Sequence, residues 1–153
     1  MFFKRREKDY QKVFVEVCRR VIGSFFISYE FREVKVEVGK KSSILVYQKN
    51  KKYIRVFAED DYWGEGSFFE VSIGEKFDFA VNDFEEYYIS LTRLTKIIED
   101  NKKETYRRFP YGNRASKKAL LRAKKDFLKY ASFYLNEDVD LFNRVLKLKG
   151  IKR

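Results

Sequence analysis

Histidine is absent from the 153 residues of this chain. Without histidine, the usual Ser-His-Asp and Cys-His nucleophile systems cannot be assembled, and zinc sites lose their commonest nitrogen ligand. The chain also has a single cysteine, Cys18, so an internal disulfide is excluded and a reducing compartment is favoured. Cys18 falls on the apolar face of a predicted helix, which indicates a small core residue rather than a nucleophile. We therefore expect a protein without enzymatic activity and without a cofactor.

Long apolar runs are also missing, and the chain has only one proline and seven glycines. No run reaches the roughly 18 apolar residues of a membrane helix, and charges occupy the first ten residues, where a signal peptide would be apolar. Gly64-Glu65-Gly66 has neither the spacing of a dinucleotide-binding loop nor the lysine of a P-loop. The sequence thus predicts a cytoplasmic protein with no membrane contact, and it carries no signal for an oligomeric state.

Periodicity predicts the fold class. Hydrophobic residues make up 44% of the chain, which is enough for one domain with a substantial core. Alternating apolar residues and short polar turns predict an antiparallel meander of four strands, at residues 31–38, 44–47, 53–58 and 68–73. Spacings of three and four predict helices at residues 8–22, from 82 or 83 to 100, at 116–135 and at 138–148. Gly23 is expected to end the first helix and Ser116 to cap the third. We predict a single α+β domain over residues 1–153, with about four antiparallel strands packed against N- and C-terminal helices.

The net charge of +11 conceals an acidic segment. Residues 59–100 contain 12 acidic and 3 basic side chains, a net charge of −9, whereas residues 101–130 contain 2 acidic and 11 basic side chains, a net charge of +9. Blocks of opposite sign either neutralise one another within the fold or face different partners. The sequence leaves both arrangements open.

A turn with the only tryptophan opens the acidic segment. An aromatic anchor among carboxylates is favoured at specific protein interfaces, because the ring supplies buried area and the charges steer a basic partner. The simpler alternative is a solvated hairpin loop whose Trp63 folds back onto the sheet. The candidate partner-binding residues are Glu59, Asp60, Asp61, Tyr62, Trp63 and Glu65.

A basic row on the third predicted helix is a second candidate surface. Its members recur at spacings of three and four opposite the apolar stripe of that helix, which predicts a positive surface suited to nucleic acid. A solvated helix face would have the same pattern, and no signature of a known nucleic-acid-binding module is present. The candidate nucleic-acid-binding residues are Lys118, Arg122, Lys125 and Lys129.

One stretch has a spacing found at metal-dependent nuclease sites. Glu33-Val34-Lys35 matches the Glu-x-Lys pattern of these enzymes, in which carboxylates hold the metal and lysine assists the nucleophile. The acidic residue expected upstream is missing, since Asp9, the only preceding aspartate, falls on a predicted helix. Alternation along a strand often produces this spacing by chance. We therefore predict no metal site.

The order of the predicted elements is similar to that of a known group of proteins. The helices end in Ala131-Ser132-Phe133-Tyr134-Leu135-Asn136-Glu137-Asp138-Val139-Asp140-Leu141-Phe142. With the first helix, the meander and its acidic aromatic turn, this layout resembles the small immunity proteins that bacteria encode beside polymorphic or contact-dependent toxins. The resemblance implies tight, non-catalytic binding to a cognate protein toxin. Our hypothesis is an immunity protein that occludes its toxin with the acidic surface, and the alternative is a nucleic-acid-binding protein that uses the basic helix.

Overall fold

An antiparallel sheet forms one layer of the protein. A computed structural model describes residues 10–60, 67–75, 88–99, 107–109 and 113–136. The first five strands lie side by side in chain order: β1 Arg32–Val38, β2 Ser42–Lys49, β3 Lys52–Asp60, β4 Ser67–Gly74 and β5 Tyr88–Ser90. A short β6, Arg107–Phe109, pairs with the start of β4. The predicted α+β class and the meander of four strands are confirmed, and β5 and β6 extend that meander.

Helices form the second layer and cover one face of the sheet. They are α1 Tyr10–Cys18, a π-helical turn Arg19–Gly23, α2 Ser24–Ser28, α3 Leu91–Ile98, α4 Asn113–Tyr130 and α5 Ser132–Asn136. The stripe predicted for the long helix is buried as expected: Leu120, Ala123, Phe127, Tyr130, Ala131 and Tyr134. Within the described ranges, no helix is both long enough and apolar enough to cross a membrane.

The core lies between these two layers. Alternate residues of the central strands face the helices, as the period of two requires. The buried sheet residues in this core are Leu45, Tyr47, Ile54, Val56, Ala58, Phe69, Val71 and Ile73. Each large apolar side chain contributes about 1.5–3 kcal/mol on full burial. The core also contains Cys18, in agreement with its predicted place on the apolar side of the first helix.

The first helix does not end at Gly23, and that prediction was wrong. Gly23 has helical dihedral angles, φ −61° and ψ −47°, and the chain continues through it into α2. Its missing side chain leaves room for the hydroxyl group of Tyr47, which a Cβ atom on residue 23 would overlap. The reversal comes instead after Ser28, where Glu30 adopts φ 72°. The glycine therefore serves a close approach between helix and sheet, and not a helix end.

The second predicted helix begins later than expected. Residues 88–90 form β5, in which Ile89 pairs with Ile73, and the helix starts after Ser90. The Ser90 hydroxyl accepts a hydrogen bond from the Arg93 N–H at 3.1 Å, so this serine is the N-cap. Residues 82–87, the predicted first turns of this helix, lie outside the described residues.

The third predicted helix also has different bounds. It begins at Asn113, three residues before Ser116, and Ser116 is a buried residue within it rather than a cap. The helix is interrupted at Ala131, after which α5 continues to Asn136. The helix predicted at residues 138–148 lies outside the described residues.

Tyr134 anchors α5 to the sheet. Its hydroxyl accepts a hydrogen bond from the Tyr53 N–H at 2.8 Å and donates to the Gly74 carbonyl oxygen. Burial raises the pKa of Tyr134 well above its ordinary value, so the hydroxyl keeps the proton that it donates. Lys52 Nζ donates to the Tyr134 carbonyl oxygen at 3.1 Å. The end of α5 is thereby held against β3 and β4.

Replacing Gly23 with alanine should destabilise the protein. The added methyl group would overlap the Tyr47 hydroxyl, and overpacking of this kind costs about 1–3 kcal/mol, which exceeds the roughly 0.5–1 kcal/mol that alanine gains over glycine within a helix. Tyr47→Phe is the matched variant, because the Tyr47 hydroxyl is buried and has no hydrogen-bond partner among the described residues. Urea unfolding should give a smaller penalty for Gly23→Ala in the Tyr47→Phe background. An equal penalty in both backgrounds would show that this contact is not the cause.

Candidate functional site

The strands β3 and β4 present the start of the predicted acidic turn. Glu59 and Asp60 are the last residues of β3, and Asp60 pairs with Ser67, the first residue of β4. The hairpin is therefore regular up to the point where the turn begins. Asp61, Tyr62, Trp63 and Glu65 lie outside the described residues.

Asp60 is tied to the first helix. Its Oδ1 atom accepts a hydrogen bond of 2.6 Å from Nε2 of Gln11, a side chain that is only 2% exposed. The Ser43 hydroxyl donates to Oε1 of the same glutamine at 2.7 Å. The Asp60 N–H donates to the Lys41 carbonyl oxygen at 2.7 Å. This carboxylate thus has a structural role in joining α1, β2 and the end of β3.

Glu59 lies on the opposite face of the hairpin, away from the helices. Cross-strand partners share a face, and the register pairs Glu59 with Phe68 and Phe57 with Glu70. The rings of Phe57 and Phe68 contact each other with centroids 6.3 Å apart. All four side chains are half-buried. We call Phe57, Glu59, Phe68 and Glu70 the hairpin patch: two aromatic rings flanked by two carboxylates, directly beside the acidic turn.

The basic residues predicted on the long helix lie together on its solvent side. At 100° per residue, spacings of four, three and four put them within an arc of about 60°. Leu121 and Leu128, which are 47% and 42% exposed, lie on one flank of that arc. We call the four residues the basic face of α4, and each of them is exposed: Lys118, Arg122, Lys125 and Lys129.

Lys129 is the member of this face that meets the acidic segment. Its Nζ atom lies 3.2 Å from Oε1 of Glu99 and 5.2 Å from the ring centroid of Tyr130. The hydrogen bond to Tyr130 and the pairing with Glu99 raise the pKa of Lys129. At this point the oppositely charged blocks of the sequence pair within the fold.

Positive charge is concentrated in the helical layer. Among side chains that the structure describes, the helices and the π-helical turn carry 11 basic and 2 acidic groups. The described side chains of β1–β4 carry 5 of each sign. The helical layer is therefore the surface that a polyanion would approach.

Three residues that the sequence analysis considered for catalysis or metal binding, Cys18, Glu33 and Lys35, lie in surroundings that do not suit those roles. Cys18 is fully buried, and burial together with the negative charge of Glu33 raises the pKa of its thiol. A β-bulge between Glu33 and Lys35 changes the alternation, so that Glu33 pairs with Tyr47 and Lys35 with Val46. Because Tyr47 and Val46 face opposite sides of the sheet, Glu33 and Lys35 do as well, and they cannot converge on one metal. Glu33 forms an ion pair with Arg19 at 2.5 Å.

Comparison with protein families, curated proteins and solved structures finds no match to this chain. Among the described residues, no group of three or more histidine, cysteine, aspartate or glutamate side chains has a metal-binding arrangement. The function of the candidate surfaces is therefore inferred from their own geometry.

Three residues that contribute to these surfaces, Phe57, Phe68 and Gln11, were not predicted as site residues from the sequence. Phe57 and Phe68 fall in strands whose pattern was correctly predicted, and the signal for their pairing was the short connection between those strands. Gln11 gave no signal, because a single polar residue on a helix does not reveal a partner that follows 49 residues later.

Truncating Asp60 should destabilise the fold, whereas truncating its neighbour should not. Asp60→Ala removes the closer of two acceptors of the buried Gln11 amide, whose Nε2 also donates to the Lys41 carbonyl oxygen at 3.3 Å, and should lower the free energy of unfolding by about 1–3 kcal/mol. Asp60→Asn keeps a carbonyl oxygen and should cost less. Glu59→Ala, which removes the adjacent carboxylate on the other face, is the control and should stay within about 0.5 kcal/mol. Urea unfolding of the three variants checks this, and equal stability of Asp60→Ala and Glu59→Ala would contradict it.

Proposed function

We propose that the chain is a non-catalytic binding protein of the immunity type, which neutralises a cognate bacterial toxin by protein–protein contact. The observation that carries this proposal is the hairpin patch, in which the register of β3 and β4 joins two aromatic rings and two carboxylates beside the acidic turn. The resemblance in layout to immunity proteins names the class of partner.

The composition of the patch suits an anchored interface. Aromatic residues dominate binding hot spots because they bury a large area at a small entropic cost, and peripheral charges keep partners in register. Phe57 and Phe68 are held on paired strands, and a site on rigid strands loses little freedom on binding. Trp63 and Tyr62 follow a few residues later in the sequence and would extend the aromatic contact.

In the proposed mechanism, the charge distribution orients the toxin as it approaches this chain. A basic toxin surface is repelled by the helical layer and attracted by the carboxylates of the patch and the turn, so the encounter is oriented before contact. Occlusion of a basic, substrate-binding groove then follows from coverage by the hairpin, with no chemical step by this chain.

Charge reversal in the hairpin patch should slow association with the toxin. The proposal expects the adjacent upstream gene to encode a protein with a C-terminal toxin domain, and that domain is the probe. Glu59→Lys with Glu70→Lys should lower the association rate constant about tenfold or more at low salt, because electrostatic steering is lost. Trp63→Ala should raise the dissociation constant by about 30-fold or more, as for a hot-spot residue. Asp60 is left unchanged because it supports the fold.

The control reverses the same amount of charge elsewhere. Glu16→Lys with Glu30→Lys alters two exposed residues outside the patch and should leave the binding constants nearly unchanged. Surface plasmon resonance measures all four proteins, and unfolding curves check that they are equally folded. Unchanged binding in both the patch and the Trp63 variants would refute the assignment of this surface.

A second candidate function is nucleic-acid binding by the basic face of α4. The observation that favours it is the exposure of all four residues within one arc of the helix, in a layer with 11 basic and 2 acidic described side chains. Phosphate contacts of this kind release counterions, so the affinity falls steeply with salt. Leu121 and Leu128 flank the basic face of α4. Their apolar side chains would not contact the phosphate backbone.

Neutralising three residues of this face should reduce the salt dependence of binding if nucleic acid is the ligand. Lys118, Arg122 and Lys125 are changed to glutamine, whereas Lys129 is kept because of its pairing with Glu99. The slope of log affinity against log salt should fall by about 2–3 on a DNA duplex. Fluorescence anisotropy measures it, with Arg32, Lys40 and Lys51 changed to glutamine as a charge-matched control. Equal slopes in both variants would exclude this face as the binding site.

A further inference from the structure

Among the strands that the structure describes, β1 is an edge of the sheet. Within the described residues β1 pairs with β2 alone and stands at the end of the strand order. Every residue from 36 to 41 is exposed, including Val36 at 40% and Val38 at 46%. Exposed edge strands present unpaired backbone groups and attract further strands unless they are blocked.

The backbone of Val36 and Val38 faces away from β2. The Gly39 N–H donates to the Ser42 carbonyl oxygen at 2.8 Å, which marks Gly39 and Ser42 as a hydrogen-bonded pair. Because bonded and non-bonded pairs alternate in antiparallel strands, Glu37 and Lys35 direct their backbone groups to β2. The intervening residues, Val36 and Val38, therefore direct theirs to the open edge.

We propose that β1 pairs with β1 of a second copy of this chain, antiparallel and about a two-fold axis at Val36. The two sheets then join into one continuous sheet across the dimer. Val36 of each copy would exchange two backbone hydrogen bonds with Val36 of the other, as its outward N–H and C=O groups allow. An isologous contact of this kind is closed and does not propagate into fibres.

Charge complementarity selects this register. With the axis at Val36, Lys35 lies opposite Glu37 of the second copy, and the symmetry makes this pair twice. Axes at Lys35 or Glu37 would set like charges directly opposite, which is destabilising. The pair of Lys35 and Glu37 also falls at a non-hydrogen-bonded position, where side chains on opposite strands are closest.

The side chains that form these pairs lie on one face of β1 and are partly exposed. Lys35 Nζ lies 3.5 Å from Oε1 of Glu37 in the same chain, with the two side chains 39% and 62% exposed. Bringing two copies together would place the four charges at the corners of a square, with each lysine next to two glutamates. The β-bulge between Glu33 and Lys35 ends the regular pairing at Val34, so the interface is short.

A short interface predicts a weak dimer. Small contacts correspond to transient association, and a concentration series from about 1 μM to about 1 mM is therefore required. The hairpin patch lies on β3 and β4, two strands away from this edge, so the dimer leaves it accessible. The inference is independent of the proposed function.

Sedimentation equilibrium of the full chain tests the pairing. A mass approaching twice 18.5 kDa is expected at the upper concentrations. Lys35→Glu and Glu37→Lys each set like charges opposite in both symmetric pairs and should raise the dissociation constant about tenfold or more. The double variant Lys35→Glu with Glu37→Lys restores opposite charges and should recover the dimer. Lys51→Glu, an exposed charge reversal in the turn between β2 and β3, is the control and should dimerise as the wild type does.

A backbone variant tests the edge itself. Val36→Pro removes the outward N–H group while leaving the bonds of Lys35 and Glu37 to β2, since proline is accepted on strand edges. It should be monomeric, with a circular dichroism spectrum and a melting temperature close to those of the wild type. A wild-type chain that stays monomeric at about 1 mM overturns the proposal. So does a double charge variant that is as monomeric as each single variant.

Discussion

One face of β2, β3 and β4 is buried against the helices. This burial determines which side chains of the sheet lie on the opposite face. Since strand residues alternate between faces, placing Val56 and Val71 in the core forces Phe57 and Glu70 to the other side. The same alternation takes Leu45 to the helices and Val46 to a small apolar cluster on the outer face. The positions of the aromatic and charged residues on the outer face are therefore fixed by the residues that the same strands place in the core.

Two polar contacts then fix how the helical layer sits on that sheet. Tyr134 meets the beginning of β3 through the backbone of Tyr53, and Gln11 meets its end through Asp60. Hydrophobic contact is non-directional and would tolerate sliding of a helix along the strands, whereas buried hydrogen bonds lose their energy with a small displacement. These contacts hold both ends of the strand that leads into the acidic turn.

Local periodicity was sufficient to predict β1–β4 and the long helix, but it missed β5, β6 and the irregularities within the elements. The strands and the buried stripe of α4 follow from spacing alone, and the basic residues of α4 were correctly placed opposite that stripe. Gly23 was misassigned because its function depends on Tyr47, which is distant in sequence and adjacent in space. The bulge that separates Glu33 from Lys35 leaves no mark in an alternating run of valines and charges.

In the candidate site, too, some features follow from periodicity and others depend on contacts between residues that are distant in sequence. The outward position of Glu59 follows from alternation along β3, but the bond between Asp60 and Gln11 needs the tertiary fold. As a result, two adjacent carboxylates that look equivalent in the sequence have different roles, one facing outward and one holding the hairpin to α1.

The net charge of +11 is therefore a poor guide to the partner, since it averages over two unlike surfaces. Among the described side chains, the excess of positive charge lies in the helical layer, whereas β1–β4 carry equal numbers of basic and acidic groups. A basic protein would be turned by this field toward the hairpin, and a polyanion would be turned toward α4. The two candidate partners must approach from different sides of the molecule, so reversing charge on one surface changes the association of one partner and leaves the other nearly unaffected.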